Sequence, residues 1–438
     1  MAKINYTINK YKEKLKDYHM LFMEDKFLDN GEKLKEFINI FDNVSDSRIK
    51  LKCTYSTKFI VVITFLAFLD IRETWQEIAD FAEDKRYFLE QFIEYPETLP
   101  VHDTYMRVFS KINSDTLENA IIEFLTEAID LVVNQNITKD DEALDIMAID
   151  GKALKGSGRL YNTDNKIQNN QIMHFWDVSN QLCVKSVVIS EKTNEIPTAQ
   201  QVLPTLNIKN KIITADAMNC QKETVRIIRE GQAHYVLAIK GNHSEFYQDI
   251  EKHFTNKFDE IKNTNNYFKM EIEKNHHQVE VREFLLVKAN SFYQGDEWKD
   301  LKSIVCHKKK LWNVHSKTES IEYRYFISDL NDVETISLAI RGHWSVENQL
   351  HYSLDKFFNE DANKTIDKIA NNNLSLIRKM INTLLVLIAP MFRNGSKMRT
   401  LKSFRSNYEI NLLRLFKFLD GKDLKELLLQ KEKDINLK

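Results

Sequence analysis

Short apolar segments alternate with amphipathic segments between residues 144 and 242, and this alternation restricts the possible folds more than any other feature of the 438-residue chain. The apolar segments LDIMAID, KIITADA and HYVLAIKG have the length and composition of buried strands. PTAQQVLPTL and KETVRIIREG are predicted to be helices, and HFWDVSN and LCVKSVVIS resemble a hairpin around Asn180-Gln181. The sequence therefore predicts an α/β sheet with mixed strand pairing.

The regions that flank this alternation follow other patterns. Upstream, apolar residues keep helical spacing in Thr74–Ile93 and again in Ser114–Gln135, with Ser114 as a predicted N-cap. Downstream, segments such as YFKMEIEKN and SIEYRYFISDL are typical of antiparallel strands. The predicted parts are a helical domain at 1–140, an α/β domain at 141–395 with a β-rich insertion at about 243–330, and a basic helical segment at 396–438.

Composition predicts a soluble protein of the cytoplasm, with no membrane partner. The longest apolar run, Phe59–Leu69, has 11 residues, whereas a helix needs about 20 to cross a bilayer. The polar N-terminus MAKINYTINK is unlike a secretory signal. The four cysteines are widely separated and form no CxxC pair, which favours free thiols in a reducing compartment over disulfides or a zinc knuckle.

Charge is unevenly distributed along the chain. The formal net charge is −2, yet residues 364–438 contain 16 Lys and Arg against 7 Asp and Glu. Within them, Arg393–Arg405 has five basic residues and no acid. Such a segment is suited to DNA phosphates, although a solvated lysine-rich surface has the same composition.

Two acids come at the ends of predicted strands. Asp150 closes MAID before Gly151, and Asp216 closes IITAD. Active sites of open α/β sheets lie at the carboxyl ends of their strands. A single acid at such a place is more often a helix cap or a loop acid. Two acids from one sheet raise the odds of a functional site.

A third acid, Glu347, lies within AIRGHWSVENQLHYSLDKFFNED, which is predicted to be an amphipathic helix. His343, Glu347 and His351 share one face of that helix because they are spaced by four residues. A zinc site is disfavoured, since no further nitrogen or sulfur donor completes a tetrahedral set. The segment contains three rival acids, which only the family resemblance given below ranks behind Glu347, in supporting or capping roles: Asp355, Glu360 and Asp361.

Three convergent carboxylates repel one another unless hard cations bind among them, and Mg²⁺ and Mn²⁺ prefer such oxygen ligands. Two ions about 4 Å apart would clamp the attacking and leaving oxygens of a phosphoryl transfer. Lys152, Lys155 and Lys240 follow the predicted strands and are candidates for contacts with substrate phosphates. Each has the ordinary alternative of being a surface lysine.

Three blocks of the chain resemble bacterial insertion-sequence transposases of the H-repeat-associated group in the DDE superfamily. They are AIDGKALKGS, ITADAMNCQKETVRIIREGQAHYVLAIKGNH and RGHWSVENQLHYSLDKFFNEDANK. Upstream, DSRIKLKCTYSTKFIVVITFLAFLDIRETWQEIADFAE and LPVHDTYMRVFSKI resemble the transposase-associated domain of that group. The resemblance covers about residues 40–395 and keeps the order of the blocks.

The resemblance implies an RNase H-like fold, with a β-rich insertion between the second Asp and the Glu. It places the metal-binding and catalytic triad, with two Mg²⁺ or Mn²⁺ ions, on Asp150, Asp216 and Glu347. It implies cleavage at the inverted repeats of the insertion sequence, strand transfer into target DNA, and a homodimer in the DNA complex. The helical domain would bind DNA ends or a second subunit. Candidate DNA contacts are Lys152, Lys155, Lys240, Arg341, Trp344, Asn348 and His351.

The chain departs from the pattern of these transposases at several positions. Related transposases carry a Tyr-Arg-Glu-Lys signature around the catalytic Glu, where this chain has His343 at the arginine position and Leu354 at the lysine position. Arg341 and Lys356 are candidate substitutes. Three other hypotheses for the function remain open: a metal-dependent nuclease of the same fold, a degenerate transposase retained as a DNA-binding protein, or a scaffold built on the N-terminal helices.

Overall fold

The computed structural model describes residues 38–90, 92–133, 145–160, 167–189, 194–264, 267–275, 278–292 and 295–388. The predicted basic helical segment at 396–438 lies outside these residues. The described chain divides into two compact units, one formed by residues up to Val133 together with those from Leu376, and the other by residues from Asp145 to Ser375. Among the described residues, no helix is long and apolar enough to cross a membrane.

The first unit is helical, as predicted for this part of the chain. Helix α1 contains the longest apolar run and is almost entirely buried, and the side chain of Ser56 caps it by accepting a hydrogen bond from the Phe59 amide. Helix α5 is capped by Asn113 rather than by the predicted Ser114, because the Asn113 side chain accepts from the amides of Asp115 and Thr116. The helices are α1 Thr57–Leu69, α2 Trp75–Asp84, α3 Arg86–Leu89, α4 His102–Phe109 and α5 Ser114–Val133.

The second unit is built on one nine-stranded sheet with the order β3-β2-β1-β4-β5-β9-β8-β7-β6. β1 pairs with β4, and β4 with β5, in parallel; all other neighbours are antiparallel. The predicted mixed α/β sheet and the hairpin around Asn180-Gln181 are therefore confirmed. The strands are β1 Ile146–Leu160, β2 Ile167–Asp177, β3 Leu182–Ile189, β4 Ile212–Ala215, β5 His234–Ile239, β6 Phe268–Asn275, β7 Gln278–Lys288, β8 Ser303–Asn313 and β9 Thr318–Ser328.

Helices cover both faces of the sheet. The helices of this unit are α6 Glu195–Val202, α7 Lys222–Glu230, α8 Ser244–Thr264, α9 Val333–Ser345 and α10 Tyr352–Phe357, followed by α11 Lys368–Ile388, which continues into the residues of the first unit. α6, α7 and α8 contribute buried side chains such as Ala199, Val225 and Phe254 to the core on one face. α9 contributes Ile336 and Ile340 to a second core on the other face of the sheet.

Two sequence predictions need correction here. Strand β1 does not end at Asp150: its parallel pairing with β4 ends at Ile149 and Ala215, but β1 continues to Leu160 because β2 offers an antiparallel partner. The segment 243–330 is not β-rich throughout, since it begins with the 21-residue helix α8. Its four strands, β6 to β9, extend the main sheet through the pairing of β9 with β5.

The predicted amphipathic helix around Glu347 contains a change of helical type. α9 passes at Val346–His351 into one π-helical turn, which leads directly into α10. Single π turns within α-helices are rare and occur frequently at functional sites. Glu347 lies within this turn and is exposed. The helix approaches β1 closely at Gly342, where a Cβ atom would lie 3.2 Å from Ile146 Cδ1.

Candidate active site

Asp150 and Asp216 lie side by side because they directly follow the paired ends of two adjacent parallel strands, β1 and β4. The Asp150 side chain is 18% exposed and accepts a hydrogen bond from the Gly151 amide at 3.0 Å. Asp216 caps a short 3-10 turn, and its Oδ1 accepts from the Asn219 side chain at 3.2 Å. Both carboxylates are thus held by local hydrogen bonds at the point where the parallel pairing of β1 with β4 ends.

Four carboxylates influence one another at this point. Burial raises the pKa of Asp150 to about 7, and repulsion by Glu347, Asp216 and Glu195 adds to the shift. The pKa of Glu195 is raised as well, first by burial and then by Asp216. The structure therefore brings together the three acids selected from the sequence and adds Glu195, which sequence analysis did not single out.

The raised pKa of Asp150, caused first by burial and then by repulsion, predicts how stability depends on pH in metal-free buffer. The unfolded chain releases the Asp150 proton near pH 3.8, whereas the folded chain keeps it until about pH 7. The burial and repulsion therefore destabilise the fold progressively as pH rises through this window, by up to about 4 kcal/mol above pH 7. Asp150→Asn is expected to unfold at higher urea than the wild type at pH 8, with the difference vanishing towards pH 4.

Tryptophan fluorescence is a suitable probe for that measurement, because four of the five tryptophans lie in the second unit: Trp176, Trp298, Trp312 and Trp344. Asp249→Asn, an exposed aspartate on α8, serves as the matched control and is expected to show no such pH-dependent gain. A destabilised Asp150→Asn at pH 8 would contradict the repulsion.

Two histidines of the Glu347 helix face the sheet, but they contact different strands. His351 Nδ1 lies 3.6 Å from Asp150 Oδ2, and its Nε2 lies 2.9 Å from Nδ1 of the buried His174 on β2. His343 Nδ1 lies 3.2 Å from the Thr214 hydroxyl on β4. Burial lowers the pKa of His343 to about 4, so its imidazole is neutral at pH 7. Both histidines thus border the acid site: His351 lies beside Asp150, and His343, which anchors the helix to β4, interacts with the charge of Asp216.

The structure does not support the predicted phosphate contact of Lys152. Its side chain is 7% exposed, and its ammonium lies 2.5 Å from Asp355 Oδ1 and 2.6 Å from Glu360 Oε2. Burial lowers the pKa of Lys152, but the two carboxylates outweigh burial and raise it above its usual value. Lys152 is therefore a buried link from β1 to both α10 and the turn that follows it, because Asp355 and Glu360 satisfy its charge.

The other predicted DNA contacts lie closer to solvent. Lys155 is 74% exposed and pairs with Asp361 at 2.7 Å, and Lys240 is exposed at the end of β5. Arg341 pairs with Glu271 and Glu273 on β6, at 2.8 Å and 2.5 Å. Of these side chains, Lys155 and Lys240 are the most available to a phosphate, since Arg341 already has two carboxylate partners.

Trp344 and Asn348 line a cavity of about 400 Å³ between the Glu347 helix and strands β6 to β9. The Arg324 guanidinium lies over the Trp344 ring, 4.4 Å from its centroid. Further lining residues include Arg282, His307 and Lys309. This cavity could not be predicted from the sequence, because its basic residues come from three separate strands, β7, β8 and β9, and form no recognisable motif.

The donor chemistry of the acid site fits a hard divalent cation, because carboxylate oxygens converge there, and their repulsion adds to the rise in the Asp150 pKa that burial causes. Their present positions are not those of a formed metal site: within the described residues, no three His, Cys, Asp or Glu side chains are already arranged to hold an ion. A cation that binds at this site must therefore draw the carboxylates closer together.

Comparison with known proteins identifies the family. The model described as "Transposase DDE domain" matches residues 142–384, and "DDE_Tnp_1-associated" matches residues 38–125. "H repeat-associated putative transposase YhhI" of Escherichia coli (strain K12) is 31% identical over 75% of this chain and 84% of its own length. "Putative transposase YncI" of Escherichia coli O157:H7 is 30% identical over 80% of this chain and 87% of its own length.

A solved structure, the cryo-EM structure of the piggyBac transposase synaptic complex with hairpin DNA, shows only a weak likeness. The TM-score is 0.36 with 11% identity, over 91% of this chain and 79% of that chain. The family model and the curated relatives carry the assignment instead, and they confirm the predicted resemblance and its RNase H-like α/β fold. The chain belongs to the DDE transposase family, with an associated domain before the DDE domain.

Proposed function

We propose that the protein is a DNA transposase that cleaves DNA at the ends of an insertion sequence and joins the freed 3′-hydroxyl to target DNA by in-line phosphoryl transfer. Asp150, Asp216 and Glu347 hold two divalent cations, Mg²⁺ or Mn²⁺. The observation that carries the proposal is the convergence of these carboxylates, which together with burial brings the pKa of Asp150 to about 7. A divalent cation among the acids would relieve that repulsion.

Bound cations supply Lewis-acid stabilisation of the phosphate and a water of lowered pKa. The protein holds the reacting groups in place around them. Asp150 and Asp216 are fixed by the parallel pairing of β1 and β4, and Glu347 lies in the π turn between α9 and α10. His351, beside Asp150 and in contact with buried His174, restricts the orientation of the Asp150 carboxylate. No covalent protein–DNA intermediate is required.

DNA passes along the edge that carries the acids. Lys155 and Lys240 contact its phosphates, and Trp344 and Asn348 contact the substrate strand beside Glu347. Support comes from the exposure of the two lysines and from the basic cavity that Trp344 and Asn348 line. Residues 1–140 bind the inverted repeats or a second subunit, residues 141–395 form the catalytic domain, and residues 396–438 hold DNA backbone. Two copies act together, because two ends must be joined.

A plasmid assay tests this function. A supercoiled plasmid that carries the native flanking DNA of the gene is incubated with the full chain and Mn²⁺, and a plasmid with scrambled flanks serves as the control. Cuts confined to the native flanks and products joined to target DNA are expected, both abolished by a chelator. Cleavage that persists in the chelator would contradict the proposal.

Two other outcomes separate the competing functions. Cuts at the flanks without joined products, even with added target DNA, would indicate a metal-dependent nuclease of the same fold. Specific retention of the native flanks in a gel-shift experiment, with no cleavage in Mn²⁺, would indicate a degenerate transposase that has kept only DNA binding.

A further inference from the structure

Glu195 is the first residue of helix α6, directly after the N-cap Asn194. Acids are common in the first helical turn, where they interact favourably with the free amides and the helix dipole. That role requires only an exposed side chain near its own helix. Glu195 is instead partly buried, and its carboxyl group lies against β1 beside Asp150.

The contact between Glu195 and β1 depends on a glycine. A Cβ atom at Gly151 would lie 2.7 Å from Glu195 Cδ, so any other residue at position 151 would displace the carboxyl group. Gly151 directly follows Asp150 on β1. The absence of a side chain at Gly151 therefore allows Glu195 to lie next to the acid site.

A buried amide connects Glu195 to the other side of the site. The Asn219 side chain hydrogen-bonds to Glu195 and donates to Asp216 Oδ1 at 3.2 Å. Asn219 is fully buried, and its Oδ1 has no hydrogen-bond partner among the described residues. A buried carbonyl oxygen without a partner is costly and calls for an explanation. An electropositive ligand at this place would provide one, since amide oxygens and carboxylates are both ligands of hard cations.

No lysine or arginine in the described part of the chain forms an ion pair with Asp150, Asp216 or Glu195. Elsewhere in the same unit, buried acids do have such partners: Asp329 pairs with Arg229, and Glu360 pairs with Lys152. The uncompensated charge is thus confined to the acid site, and Glu195 is part of it.

We propose that Glu195 is a fourth carboxylate of the cation site and contributes directly to divalent cation binding beside Asp150 and Asp216. This inference rests on the proposed function, because it assumes that the site holds a cation. It assigns Gly151 the role of leaving room for Glu195, and Asn219 the role of positioning the Glu195 and Asp216 carboxylates relative to each other.

Equilibrium binding of Mn²⁺ to the full chain without DNA, followed by the electron paramagnetic resonance of free Mn²⁺, tests the proposal. Glu195→Gln is expected to weaken Mn²⁺ binding at least about 10-fold. Glu230→Gln, an exposed glutamate on α7, is the matched control and should bind like the wild type. Wild-type affinity in Glu195→Gln would overturn the inference.

A second variant tests position rather than charge. Gly151→Ala keeps all four carboxylates but displaces the flexible end of Glu195, so the fold tolerates it. Its Mn²⁺ affinity is expected to fall to a similar extent, and the double variant should bind no more weakly than Glu195→Gln alone, because both changes remove the same contribution. Additive losses would contradict the assigned role of Gly151. This variant also keeps the inference testable should Glu195→Gln not fold.

Thermal unfolding distinguishes a ligand from a structural residue. In chelator, Glu195→Gln should melt at or above the wild-type temperature, because like-charge repulsion is removed, and Mn²⁺ should raise its midpoint less. A lower midpoint in chelator with an unchanged Mn²⁺ shift would show a structural role and overturn the inference. Equal Mn²⁺ binding by wild type and Asp216→Asn would instead show that the proposed cation site itself is wrong.

Discussion

Asp216→Asn is expected to reduce cleavage at the insertion-sequence ends by about 10³-fold or more in Mn²⁺. The substitution removes one negative charge from the proposed cation site, where the cations supply several kcal/mol of transition-state stabilisation. A loss of about 4 kcal/mol corresponds to roughly a thousandfold in rate. The fold should tolerate the change, because asparagine can accept the same capping hydrogen bond from Asn219 that the aspartate accepts.

The measurement compares single-turnover cleavage of the flanking DNA by wild type, Asp216→Asn and the exposed control Asp249→Asn. Only Asp216→Asn should lose activity, and its binding of the flanks should persist, since DNA recognition in this proposal depends on other side chains. Equal products from all three proteins would show that Asp216 is not catalytic. Loss of binding together with loss of cleavage would show that the defect lies in DNA recognition.

Asp150 and Asp216 could be predicted from the sequence because their signal is local. Asp150 and Asp216 each follow a short apolar run, and parallel strands place such residues at one edge of a sheet. Their adjacency in the structure agrees with this reasoning. Glu347 needed the family resemblance, since nothing in its helix distinguishes it from Asp355 or Glu360. The π turn that holds it follows no sequence pattern that could have been predicted.

The burial of Glu195 and of Lys152 could not be predicted from the sequence, and the physical reason is the same for both. An acid in the first turn of a helix and a lysine after a glycine are both common on protein surfaces. Their burial depends on contacts with residues far away in the sequence: Glu195 with Gly151, and Lys152 with Asp355 and Glu360. Sequence spacing within one element carries no information about such contacts.

Lys152→Met is expected to destabilise the second unit by about 4 kcal/mol at pH 8, the largest loss of stability predicted here for a single substitution. The change removes the cation between Asp355 and Glu360, and Glu360 is only 1% exposed. Removing one partner of a buried ion pair typically costs about 3–5 kcal/mol, because the other partner remains charged and desolvated. The Ser375 hydroxyl, which donates to Glu360 Oε1 at 2.6 Å, cannot neutralise that charge.

Urea unfolding followed by tryptophan fluorescence measures this effect, with Lys155→Met as the matched control. Lys155 lies three residues further along β1 but pairs with Asp361 at the surface, so its loss should change stability little. The deficit of Lys152→Met should shrink as pH falls towards about 5, because the acids left without a partner then take up protons in the folded state. A deficit independent of pH would contradict an electrostatic origin and indicate lost packing.

Lys152 lies two residues after Asp150, and Asp355 lies eight residues after Glu347. Their ion pair therefore joins the strand that carries one proposed catalytic acid to the helix that carries another, although neither partner of the pair is proposed to contact DNA. Lys152→Met should consequently lower both the urea midpoint of unfolding and the rate of flank cleavage. Adding Glu360→Gln should restore part of both, because it removes one of the buried negative charges left without a partner. Restored stability without restored cleavage would show that Lys152 itself contacts the substrate.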